Sequence, residues 1–196
     1  MQKTRALAAI AAAVAFAAPV AHADVLWDEA IDGDLSSDNF NPNLFALTPG
    51  SNTIFGSTVA DPILDPDFFT LTVPAGFEIS SVIFVRYQSG DDQAFFAMEV
   101  GGQISDTGSP VSLLTAALIG GIEGSMEGDE LLDDLQEGNV WGGFAGNIGA
   151  GDYTFWYQET AAATSYGFDF ILTPVPAPAS GALLGVGGLA LVRRRR

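Results

Sequence analysis

From Asp24 onward, apolar and polar residues alternate in short runs cut by Gly, Pro, Asn and Asp. That period of two belongs to strands, not helices. Val25 to Ile31 (VLWDEAI) reads as a first strand, followed by the acidic loop DGDLSSDNFNPN. Leu44 to Leu47 and Thr53 to Val59 flank Pro49-Gly50-Ser51-Asn52, which predicts a hairpin-like connection. In the next strand, Phe69, Leu71 and Val73 share one side and are expected to face inward. Phe77 to Tyr87, Ala94 to Val100, Tyr153 to Thr160 and Tyr166 to Thr173 supply four more strands. In the last of them Phe168, Phe170 and Leu172 form one apolar face. Val111 to Ile119 is a short apolar run that fits a buried strand or one or two helical turns equally.

Asp129 to Glu137 is the one good helical segment. Its Leu131, Leu132 and Leu135 share a face, acids crowd its first turn, and Gly138 is placed to end it. Eight or nine short strands with one short helix predict an all-β fold, an antiparallel, jelly-roll-like β-sandwich. The domain runs from Asp24 to Thr173, long enough for a real core. Terminal helices of different character are expected to flank it. At the N-terminus, Lys3 and Arg5 precede the apolar stretch Ala6 to Val20 and the A-x-A site Ala21-His22-Ala23. This order predicts a signal peptide over residues 1–23, cut by signal peptidase after Ala23.

The C-terminus repeats the theme with a different grammar. A Pro-rich linker over 174–178 contains Val175, Pro176, Ala177 and Pro178; it cannot continue a helix or pair as an inner strand. The apolar run 179–192 follows, about 21 Å long as a helix and short of the roughly 20 residues an ordinary span needs. Arg193, Arg194, Arg195 and Arg196 close the chain, charges that the positive-inside rule keeps in the cytoplasm. The order of linker, apolar run and Arg block resembles the PEP-CTERM sorting signal of exported bacterial proteins, over the terminal residues only. The family pattern is V-P-E-P, and Ala177 stands here where that pattern has Glu. The resemblance implies transient anchoring in the cytoplasmic membrane, processing by an exosortase near Val175 to Pro178, and delivery to the cell surface or extracellular matrix. An ordinary C-terminal membrane anchor is the alternative.

Trimming both ends sharpens the charge. Of seven basic residues only Arg86 lies between Asp24 and Thr173, set against all 24 acids, which leaves about −23. Such a surface repels nucleic acid and anionic membrane; it suits Ca²⁺ binding or solubility in salt. There is no Cys, and the single His, His22, lies before the expected cut. Thiol chemistry, Ser-His-Asp hydrolysis and His-ligated zinc therefore have no residues to run on in the mature domain. An enzyme would have to use carboxylates, for example Glu99 and Glu159 as a glycoside hydrolase pair. Acids on the polar face of a sheet explain both more cheaply, and a non-catalytic domain is the expectation.

A second resemblance covers about half of the mature domain. DPDFFTLTVPAGFEISSVIF (Asp65 to Phe84) with GAGDYTFWYQET (Gly149 to Thr160) looks like the pre-peptidase C-terminal type of β-sandwich. The opening WDEAIDGDLS and the LLDDL segment look like a group of PEP-CTERM proteins built on such a domain. That likeness implies an accessory module for adhesion or substrate contact.

Two kinds of ligand site follow from the residues. Asp32, Asp34 and Asp38 share one loop, and Asp65 and Asp67 flank Pro66 just before a strand, so these five are the calcium candidates. They do not form an EF-hand, because Ser36, Ser37 and Asn43 occupy its fifth, sixth and twelfth positions counted from Asp32. Turn and strand-end acids are the competing explanation. Asp129/Asp133, Glu130/Asp134 and Asp133/Glu137 are like-charge pairs at helical spacing, each costing a few tenths of a kcal/mol, at about 0.2–0.5, until salt or a cation relieves them. Among the aromatics, Trp156 and Tyr157 point to opposite faces, so one belongs to the core. Trp141, beside Gly142 and Gly143, is the candidate for contact with an extracellular polysaccharide.

Overall fold

In the computed structural model, residues 22–59, 64–90, 92–159 and 163–176 are described. Residues 1–21 of the expected signal peptide and 177–196 of the expected sorting tail, its Arg block included, lie outside them. Among the described residues, ten strands form two facing sheets, an all-β sandwich. One sheet has four strands: β1 (His22–Asp28), β3 (Gly50–Thr58), β10 (Thr164–Pro174) and β5 (Phe77–Gln88), in that order. The other has six: β2 (Asn43–Ala46), β4 (Asp67–Val73), β9 (Gly151–Gln158), β6 (Ala94–Val100), β7 (Thr115–Ile119) and β8 (Trp141–Gly142). Most pairs are antiparallel, but the β1–β3 and β2–β4 pairs are parallel. Among the described residues, no helix is long and apolar enough to cross a membrane.

Alternation builds the core. Phe69, Leu71, Phe96, Phe155 and Tyr157 from the larger sheet meet Ile54, Phe84, Tyr166, Phe168 and Phe170 from the smaller, all without exposed surface. The rings stack as well as fill: Phe168 lies 4.4 Å from Phe96 and 5.4 Å from Phe84, nearly parallel to both. Offset stacking of this kind adds about 0.5–1.5 kcal/mol per pair beyond area burial.

Three local expectations change. Glu29–Asp32 is a helical turn, α1, instead of the end of the first strand, because Asp28 Oδ1 accepts from Ala30 N and caps it. The second helix, α2, spans Leu132–Glu137 and starts later than Asp129. Glu130 is instead bridged to Ile83, with its Oε1 accepting from Val82 N. The predicted hairpin at 49–52 is a crossover between sheets: Leu47 N donates to Thr72 O in one, while buried Asn52 donates to Phe170 O in the other. Asn52 also bonds Thr48 and Gly50, which satisfies the crossing backbone. The ambiguous run at 111–119 resolves into a 3₁₀ turn, Pro110–Ser112, and strand β7.

Pattern alone expected one buried face for β4, and the structure buries both. A loop over residues 101–114 folds onto the outside of the larger sheet, where Ile104 and Leu113 cover Phe68, Ala97 and Ala116. The loop is held by Asn39, whose Nδ2 donates to Ile104 O and whose O accepts from Ile104 N. At the ends of the domain, β1 begins two residues before the expected cut after Ala23. Val175 N donates to Gly76 O, which docks the start of the Pro-rich stretch 174–178 on the domain.

Candidate functional site: a carboxylate cluster between the sheets

Glu29, Asp34 and Asp67 converge from three parts of the chain, with one oxygen of each within 4.8 Å of the others. Each is placed for a local reason. The capped turn of α1 directs Glu29 onto the smaller sheet, where its Oε2 accepts from Ser57 N and Oγ at 2.6 and 2.9 Å. Its Oε1 accepts from Leu35 N at 2.8 Å. Asp34 is brought in by the bridge between Ser36 and Phe68, in which Phe68 N donates to Ser36 O. Asp67 opens β4 on the side of Phe69, Leu71 and Val73, so its carboxylate points inward and is fully buried.

Asp67 is the unusual member. Its Oδ2 accepts from the hydroxyl of buried Tyr166 at 2.8 Å, a bond that crosses from one sheet to the other. Its Oδ1 has no hydrogen-bond partner among the described residues. Burial, and then the charge of Glu29, push the Asp67 carboxyl up to about 9. Burial also raises Glu29 against the pull of its three hydrogen bonds, with Asp34 adding to the rise. Asp34 is raised by burial and by Asp65. Burial and the Asp67 charge hold the Tyr166 phenol well above its ordinary range.

An array of like charges with an orphaned buried oxygen needs a proton or a cation. The donor set is all oxygen, which selects a hard ion. Oxygens bound at about 2.4 Å to one Ca²⁺ lie at most about 4.8 Å apart, and these three fall within that limit. A hollow of about 360 Å³ adjoins the cluster, lined in part by Glu29, Asp34 and Ser57. It leaves room for the water ligands a calcium ion takes beyond three carboxylates. Asp67 comes from the larger sheet, Asp34 from a loop, and Glu29 from α1, which is bonded to Ser57 of the smaller sheet, so a bound ion would tie these segments together.

The cluster makes a pH prediction. Asp67's folded pKa exceeds its unfolded one, so the unfolded chain loses its proton first as pH rises. Cation-free stability should therefore be highest below about pH 4 and fall toward pH 9, by up to about 1.4 kcal/mol per pH unit. Melts in EDTA should show a falling midpoint between pH 5 and 8, and saturating calcium should flatten the slope. A midpoint that rises with pH in EDTA contradicts the assignment.

The remaining candidates sit elsewhere. Asp65 lies beside the cluster, accepting from Ser37 Oγ at 2.8 Å and raising its neighbours. Asp32 Oδ2 accepts from Asp28 N and fastens α1. Asp38 closes a turn, its carboxyl lowered by hydrogen bonds from Asn41 and Phe40. Glu29 was not among the sequence candidates, since VLWDEAI reads as strand; the signal was Asp28 as a helix cap followed by further acids. Trp141 stands 41 % exposed on the short edge strand β8. Tyr157 is the core member of its pair, and Trp156 is half-buried on the outside.

Glu99 and Glu159 occupy opposite ends of the β6–β9 pair, where Glu99 faces Thr154 and Phe95 faces Gln158. Five residues of strand separate them, roughly 17 Å at about 3.3 Å per residue. Glycosidase pairs stand about 5–9.5 Å apart. Glu159 is buried with Ser89 and Thr164 hydroxyls on its Oε2, and Glu99 accepts from Ser105 N and Oγ. No family model matches the chain, and no curated protein or solved structure is significantly similar to it.

Proposed function

We propose that this is an exported, exosortase-sorted bacterial surface or matrix protein whose non-catalytic β-sandwich binds calcium through Glu29, Asp34 and Asp67. The observation that carries the calcium reading is the buried Asp67 carboxylate, with an unpartnered oxygen, set against two further carboxylates. Calcium there acts structurally: it neutralises the cluster and joins α1, its following loop and β4. Export and sorting rest on the signal-like N-terminus and on the tail from Pro174 to Arg196. Isothermal titration of the purified protein with CaCl₂ should show one saturable site, with MgCl₂ binding more weakly because Mg²⁺ demands tighter octahedral geometry. No heat and no thermal shift with calcium would remove the reading. Intact-mass measurement of protein recovered outside the producing cells tests the rest. Loss of residues 1–23 and a new C-terminus near Val175 to Pro178 is expected; an uncut tail argues for the plain anchor.

A further inference from the structure

The outside of the six-stranded sheet holds two adjoining hollows that meet at Trp156. One is about 440 Å³ and the other about 350 Å³, and Thr107, Trp156 and Gln158 line both. Trp156 is wedged in place: Phe95 meets it edge-on at 4.8 Å, and Phe68 lies tilted at 5.6 Å. Its Nε1 donates to Gln158 Oε1 at 3.2 Å, which pins a primary amide beside the ring. Ser109 also lines the first hollow and Asn39 the second. No charged side chain lines either hollow among the described residues. On a chain of net charge −17 with 24 acids, two adjoining hollows without a charged lining residue stand out.

We propose that this double hollow binds a segment of a neutral polysaccharide. An indole ring covers the C–H face of a sugar, while hydroxyls and amides beside it meet the sugar's own hydroxyls. A polyanion would have to approach against the negative field of the whole domain. A purely apolar partner would bury Thr107, Ser109 and Gln158 without satisfying them, an unfavourable exchange. A cation finds no carboxylate here. Two hollows of about 440 and 350 Å³ that share Thr107, Trp156 and Gln158 suit several sugar units of a chain better than one free sugar. The site is separate from the carboxylate cluster and does not depend on it.

Affinity electrophoresis of the purified protein through gels containing hydroxyethyl cellulose, dextran or polygalacturonate tests this. Retardation by at least one neutral polymer and none by polygalacturonate is expected. Trp156→Ala should weaken retardation about ten-fold, the loss of one good contact. Because that variant also opens the packing around Phe68, Gln158→Ala provides the second reading, with binding reduced several-fold and the melting temperature unchanged. Trp141→Ala and Asp67→Asn should bind as the parent does. The proposal is overturned by any of four results. These are no retardation by either neutral polymer, preference for polygalacturonate, parental affinity in Gln158→Ala, or lost affinity in Trp141→Ala. Displacement of bound polymer by a synthetic 179–192 peptide is not expected. If that peptide binds the groove and the polymers do not, the occupant is the chain's own tail, and the proposal fails.

Discussion

Asp67→Asn should stabilise the protein in EDTA and abolish its response to calcium. The two effects have one cause. In the folded protein the Asp67 carboxyl is buried against Glu29 and holds its proton up to about pH 9, whereas the unfolded chain ionises near pH 4. Folding at neutral pH therefore carries a proton-uptake cost on the order of 4 kcal/mol. Asn has no proton to take up, keeps a carbonyl oxygen for the Tyr166 hydroxyl, and presents an amide to the neighbouring carboxylates. The apo variant should melt higher than the parent at pH 7–8, and its midpoint should depend less on pH. The parent in turn should gain about 2.7 kcal/mol at a calcium concentration 100-fold above the dissociation constant. That corresponds to roughly 5–10 °C for a domain of this size. Asp67→Ala separates the terms: it leaves the Tyr166 hydroxyl buried without its acceptor, a loss of about 1–3 kcal/mol. Differential scanning fluorimetry with EDTA and with calcium reads all three proteins. An Asp67→Asn protein that is less stable than the parent in EDTA and still shifts with calcium would falsify the cluster's role.

Gly56→Ala should damage packing and the cluster together. A Cβ on Gly56 would lie 2.4 Å from both Cζ and Oη of Tyr166. Tyr166 cannot step aside, since its ring is buried 3.9 Å from Tyr157 and 5.2 Å from Phe168. The clash falls on the hydroxyl that holds Asp67, so packing and site fail together. A destabilisation of about 3 kcal/mol, at the upper end for overpacking, and weakened calcium binding are expected. Gly102→Ala is the matched control, because a Cβ there meets nothing within 4 Å and the backbone is unstrained. Urea denaturation of both variants decides the matter. Equal midpoints would show that the Tyr166 ring relaxes freely.

The Gly56 contact illustrates what residue patterns conceal. Nothing near position 56 announces that it must be small, because the constraint comes from Tyr166, 110 positions along the chain. The same holds for Glu29, which belongs to the cluster only because α1 faces Ser57 of β3. Asp67 was more legible. Its place on the inward side of β4 follows from the alternation of Phe69, Leu71 and Val73, which marks a carboxylate in a core position. Asp32 and Asp38 share a loop with Asp34, yet both are spent on local backbone bonds. Proximity in sequence therefore separated ligand from turn residue poorly. The hairpin expected at Pro49 to Asn52 failed for a related reason: a turn signal says that the chain bends, not which sheet it rejoins.

By itself the sequence determined the fold class, because period-two alternation with frequent Gly and Pro breaks leaves strands as the stable solution. It also determined the inventory of chemistry, through one basic residue, 24 acids, no Cys and no His between Asp24 and Thr173. Tertiary structure alone decided which carboxylates meet and which aromatic faces outward. It set Asp67 of one sheet against Tyr166 of the other and against Glu29 of α1, and it folded the 101–114 loop over the outside so that Trp156 stands at the rim of a groove. Both outcomes depend on contacts between segments far apart in the chain, where burial and charge act through space and local pattern carries no record of them.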